Sequence, residues 1–122
     1  MSATIYGIKN CDTMKKAFAW LDGHAVAYDF HDYRKLGIAP DTLAQWCERV
    51  GWQTLVNTRG TTWRKLAPAE QAIGGPADAI ALMASHPSLI RRPVVETPAG
   101  ELIAGFDAER YAAAFGANGE SA

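Results

Sequence analysis

A chain of 122 residues, 48% apolar and 20% charged, is long enough to bury one core and too apolar to remain disordered. Its 12 Lys and Arg against 13 Asp and Glu leave a net charge of −1, which offers no electrostatic footprint for nucleic acid or an anionic membrane. No apolar run reaches the roughly 18 residues of a membrane span, no basic-then-apolar segment opens the chain, and two cysteines are too few for a disulfide-stapled secreted domain. A cytoplasmic protein is the expectation.

"ATIYG" (3–7) has the β-branched and aromatic content of a short strand. Met14, Ala17, Phe18 and Leu21 then fall at helical spacing, and Asp22-Gly23 predicts the stop. Val26, Tyr28 and Phe30 alternate with Ala27, Asp29 and His31, which predicts a strand over 26–33 with one buried face. Pro40 and Asp41 open a helix that carries Leu43, Trp46, Cys47 and Val50 on one side. Residues 52–75 mix strand-like and turn-like types; they read as a short helix end, a loop, a brief helical turn and a small helix over 68–74 closed by Gly74-Gly75. A clear helix runs from Pro76 to the histidine-proline pair at 86–87. "RPVVET" (92–97), the turn "PAGE" and "LIAGF" (102–106) predict an antiparallel hairpin, and Asp107 caps a last helix.

The order is therefore β-α-β, a helical middle, then β-β-α. A β-α-β start requires a parallel strand pair, and the closing hairpin adds antiparallel strands. The α/β class follows, with a mixed four-stranded sheet flanked by helices in the thioredoxin-like arrangement and a helical insertion between the halves. One domain is expected over 1–116, the insertion at about 40–87, and a frayed tail over 117–122.

Cys11 stands where the first strand ends and the first helix begins. Free N–H groups and the positive end of the helix dipole both favour a thiolate there, and the thiolate is the nucleophile. Lys9, Lys15 and Lys16 add positive charge nearby in sequence, and Asp12 opposes them. The alternative is a buried packing cysteine, the role that the apolar setting of Cys47 favours for that residue. Arg91-Arg92-Pro93 precedes a strand, and a cis bond at Pro93 would bring the Arg92 backbone against a neighbouring loop. Arg59, in the polar "NTRGTT", is a second candidate anion fork, because guanidinium holds oxyanions bidentately. His24, His31 and His86 have no metal-ligand spacing, so no metal site is expected. No phosphate-cradling glycine motif is present.

"IYGIKNCDTMKKAFAWL", "LVNTRGTTWRKL" and "HPSLIRRPVVETPAG" together resemble the ArsC-like family, which comprises glutathione-linked arsenate reductases, Spx-type regulators and YffB-type relatives. "KNCDTMKKA" is most similar to the YffB-type branch. The resemblance spans nearly the whole chain and implies a thioredoxin-like fold with a helical insertion. It makes Cys11 the redox cysteine, with Lys9, Asn10, Arg59 and Arg92 binding an anion or glutathione and Pro93 in the cis form. The chain departs from that pattern at three places. Gly7 stands where the reductases carry a histidine, the second hairpin strand lacks their third arginine, and Met14 replaces the serine of C-x-x-S or the second cysteine of C-x-x-C.

A glutathione-dependent monothiol reductase is the function this combination implies, because a lone thiolate must borrow its resolving thiol. Arsenate reduction coupled to glutathione and glutaredoxin is one alternative, and a non-enzymatic regulator that binds RNA polymerase is another. No bound cofactor is expected; glutathione serves as co-substrate, glutaredoxin is a possible donor, and neither nucleic acid nor a membrane is a partner. A monomer is expected.

Overall fold

The computed structural model describes residues 2–9 and 11–115; Asn10 and the tail over 117–122 lie outside the described residues. Strand β1 (Ala3–Gly7) buries Ala3, Ile5 and Gly7 and leaves Thr4 and Tyr6 half-buried, the period-two signature of extended chain. Helix α1 (Asp12–Gly23) turns Met14, Ala17 and Leu21 inward at three- and four-residue steps. It ends at Gly23, as the Asp22-Gly23 signal predicts, and the contacts that close it lie just beyond the glycine. The His24 N–H and ring Nδ1 both engage the Trp20 carbonyl, at 3.1 and 2.8 Å, and the imidazole stacks on the indole at 3.8 Å. Ala25 then takes the left-handed turn at φ 57°, and the Val26 N–H donates back to the Leu21 carbonyl at 2.9 Å.

Strand β2 (Tyr28–Asp32) runs parallel to β1, with Phe30 opposite Ile5 and Asp32 opposite Gly7. It is shorter than the alternation over 26–33 predicts. Tyr33 opens α2 (Tyr33–Leu36) instead, and its buried ring donates a hydroxyl hydrogen bond to the Ile90 carbonyl at 3.0 Å. Strand β3 (Val94–Glu96) is antiparallel to β1, and β4 (Leu102–Ala104) is antiparallel to β3. The sheet order is β2-β1-β3-β4. Both hairpin strands are shorter than expected at their outer ends. Pro93 has no N–H for the ladder, and Gly105 leaves it at φ 88° while donating to the Pro93 carbonyl at 2.7 Å. Helix α8 (Ala108–Phe115) is capped by Asp107, whose Oδ1 accepts from the Glu109 and Arg110 N–H groups at 3.0 and 3.3 Å.

The described chain falls into two compact units, one formed by the N-terminal residues to Asp32 with those from Arg92 onward, the other by Tyr33–Arg91. The first holds the sheet. Ala3, Ile5, Val95 and Ile103 on one sheet face pack with Met14, Ala17 and Leu21 of α1 and Tyr111 of α8. Phe18 sits against Tyr28 and Phe30, with ring centroids 5.6 and 5.2 Å apart. This mixed sheet flanked by helices is the thioredoxin-like arrangement.

The second unit is helical: α3 (Pro40–Val50), α4 (Trp52–Leu55), α5 (Thr61–Arg64), α6 (Pro68–Gln71), α7 (Pro76–Ser85) and a 3-10 turn at Pro87–Leu89 follow α2. Leu43, Trp46, Leu55, Met83 and Leu89 form part of its buried core. Helix α6 stops three residues before the glycine pair, because Gln71 donates its side-chain amide to the Trp63 carbonyl at 2.8 Å and the Ile73 N–H closes a tight turn on the Gln71 carbonyl at 2.9 Å. Among the described residues no helix is long and apolar enough to cross a membrane.

Candidate functional site

Cys11 is the N-cap of α1, with an extended backbone at φ −146° and ψ 134°. Thr13 and Met14 are the second and third residues of that helix, the positions whose N–H groups an N-cap side chain ordinarily satisfies. The half-buried sulfur completes no capping hydrogen bond of ordinary length and angle, yet both N–H groups face it closely enough to act on its charge. Burial pushes the thiol pKa up. The Met14 N–H, a hydrogen bond from the Arg92 side chain, the Thr13 N–H and the Arg92 charge all oppose that, and together they win, so the thiol titrates below its ordinary value. The site thus combines two backbone dipoles with one fixed cation.

Arg92 reaches Cys11 from the chain entering β3. The Arg92-Pro93 peptide is cis and Pro93 is buried. Lys9 is exposed, two residues before the cysteine. Asn10 lies outside the described residues. Arg59 belongs to the Tyr33–Arg91 unit and is exposed. Its loop is well built: the Asn57 side-chain oxygen accepts the Arg59 N–H at 3.0 Å, and Arg64 donates to the Arg59 carbonyl at 3.0 Å. Cys11 and Arg92 are therefore the candidates brought into contact within one unit.

Cys47 behaves differently. It is free and half-buried on α3, and burial alone raises its thiol pKa. The described residues contain no group of three or more His, Cys, Asp or Glu side chains that could hold a metal ion.

Two features of the site escape a reading by residue type. The N–H donors of Thr13 and Met14 are backbone groups, and their only sequence signal is the helix start itself. The second is a close fit between Gly7 and Met14. A methyl group added at Gly7 would lie 2.6 Å from Met14 Cε and nearer still to Sδ, while Met14 is fully buried. A histidine at position 7 is sterically incompatible with Met14 where it stands, so two of the departures from the reductase pattern are one packing arrangement.

The sequence model of the ArsC family matches residues 6–114. The chain belongs to the ArsC family. An uncharacterized protein of Haemophilus influenzae is 42% identical over 112 residues, which cover 92% of this chain and 97% of that one. The global transcriptional regulator Spx of Streptococcus agalactiae is 28% identical over 94 residues, 75% of this chain and 68% of Spx. Among solved structures, a protein named YFFB superposes with a TM-score of 0.88 at 53% identity, covering 93% of this chain and 98% of its own. An arsenate reductase (ArsC) related protein from Brucella melitensis gives a TM-score of 0.73 at 48% identity, covering 94% and 95%. Relatives of this ArsC-family chain thus include both reductase-related proteins and transcriptional regulators.

Proposed function

We propose that this ArsC-family chain is a glutathione-dependent monothiol reductase acting through Cys11. The observation that carries the reading is the Arg92 side chain hydrogen-bonded to a cysteine that stands at the N-cap position of a helix. Such a thiolate attacks the glutathionyl sulfur of a mixed disulfide, forms Cys11–S–S–glutathione and releases the substrate as its thiolate. A second glutathione thiolate then attacks that bond, regenerating the Cys11 thiolate and leaving oxidised glutathione. Position 14 holds methionine, so a C-x-x-C exchange is closed to Cys11 and the resolving thiol comes from outside. Lys9 and Asn10 are proposed to supplement Arg92 in holding the carboxylates of glutathione.

Incubation of the reduced protein with oxidised glutathione, followed by peptide mass analysis, tests this directly. One glutathione adduct is expected, at Cys11 and absent from Cys11→Ser. Full recovery of unmodified Cys11 would reject the reading.

The Brucella relative at 48% identity, named for arsenate reductase, favours arsenate as a second substrate to assay. Arsenate-dependent oxidation of glutathione, coupled through glutaredoxin and lost in Cys11→Ser, is the expected sign of that activity. Rates equal to those of heat-killed protein would reject it. The relatives named global transcriptional regulator Spx favour a regulatory role as the second reading, and retention of RNA polymerase by both the wild type and Cys11→Ser is its expected sign.

A further inference from the structure

The fit between β1 and α1 bears directly on Cys11. Met14 is the third residue of α1, is fully buried, and belongs to the core cluster against which Cys11 packs. Its Sδ and Cε fill the space over Gly7, where even one added methyl would collide with both. The same residue presents its N–H to the Cys11 sulfur, beside the N–H of Thr13. One residue therefore joins the strand before the cysteine to the helix turn after it.

We propose that Met14 is the positioning residue of the Cys11 thiolate: its thioether, seated over Gly7, pins the first turn of α1 to β1 and keeps the Thr13 and Met14 N–H groups on the sulfur. The backbone N–H exists whatever the residue type, so the role assigned to the side chain is to fix where that N–H points. Gly7 is the complementary half of the pair, because only a residue without Cβ leaves room for the thioether. This inference rests on the reading that Cys11 works as a thiolate.

The test is the pH profile of iodoacetamide alkylation in a Cys47→Ser background, so that only Cys11 reports, alongside thermal stability. In the parent protein the midpoint falls below that of a free cysteine. Met14→Ala is expected to raise the midpoint by about 0.5 pH or more, because the turn loses its anchor. Met14→Leu, which conserves volume, should stay close to the parent. Gly7→Ala should raise the midpoint by displacing the thioether, and Gly7→Ala/Met14→Ala should show less than the sum of the two single effects. If Gly7→Ala does not fold, the contrast between Met14→Ala and Met14→Leu decides the matter alone. A parent midpoint below the free-cysteine value that stays unmoved in folded Met14→Ala, whatever its stability, would overturn the inference while leaving the proposed function standing. An ordinary parent midpoint would overturn both.

Discussion

At Cys11 three groups act against burial. Partial burial favours the neutral thiol, and the two N–H groups with Arg92 favour the thiolate. Because the net pKa is lowered, the thiolate forms at lower pH than in a free cysteine, and alkylation should rise correspondingly early. Arg92→Gln removes the charge while keeping an amide donor. It should move the alkylation midpoint upward, with Arg92→Lys falling between Arg92→Gln and the wild type, because lysine retains charge but not the planar fork. An unchanged midpoint in Arg92→Gln would show that the backbone groups alone set the titration. Cys11 and Arg92 are both legible in the sequence as candidates. Their association follows from the family resemblance and from no local pattern, and the pairing of β1 with β3 is what brings their segments together.

Element boundaries show where local signals give way to specific contacts. Asp22-Gly23 is a sound stop signal and α1 ends there, but the glycine does not take the left-handed position, because His24 caps the helix by stacking on Trp20 and engaging its carbonyl twice. The left-handed residue is consequently Ala25, which has a Cβ that disfavours that conformation by roughly 1–2 kcal/mol. Glycine would remove the strain and lose about 0.4–1 kcal/mol through the freer unfolded chain. Ala25→Gly should therefore stabilise the protein by about 0.5–1 kcal/mol, raising Tm by about 2–4 °C in calorimetry. A lower Tm would mean that the turn is not strained. Helices α1, α3, α7 and α8 are legible because each carries an apolar stripe or a cap, whereas the one-turn helices between Trp52 and Gln71 are legible as helical turns but not in their bounds, having too few residues to display a period.

For the molecule as a whole, the β-α-β and β-β-α halves were readable from order alone, since handedness and short connections leave few topologies. The division of the chain at Asp32 and Arg92 was less so, because the change occurs inside apparent strand and loop segments without any linker composition. Sheet order has a measurable consequence. β1 and β3 each pair on both sides, and β2 and β4 each pair on one. Amide hydrogen exchange should therefore be slowest at Ile5 and Val95 and faster along β2 and β4. Equal protection across all four strands would indicate that the sheet opens only by global unfolding.

The fit of Gly7 to Met14 also constrains the order in which the chain can change. A side chain gained at position 7 meets the thioether, the flexible end of a fully buried residue, so the route that leaves it undisturbed first shrinks residue 14 and passes through an intermediate with an unfilled gap. The reverse order passes through a collision. A chain with glycine and methionine at these positions and one with histidine and serine are thus separated by single changes that either leave a gap or displace the thioether, and each is expected to cost stability. Varying both together avoids either cost.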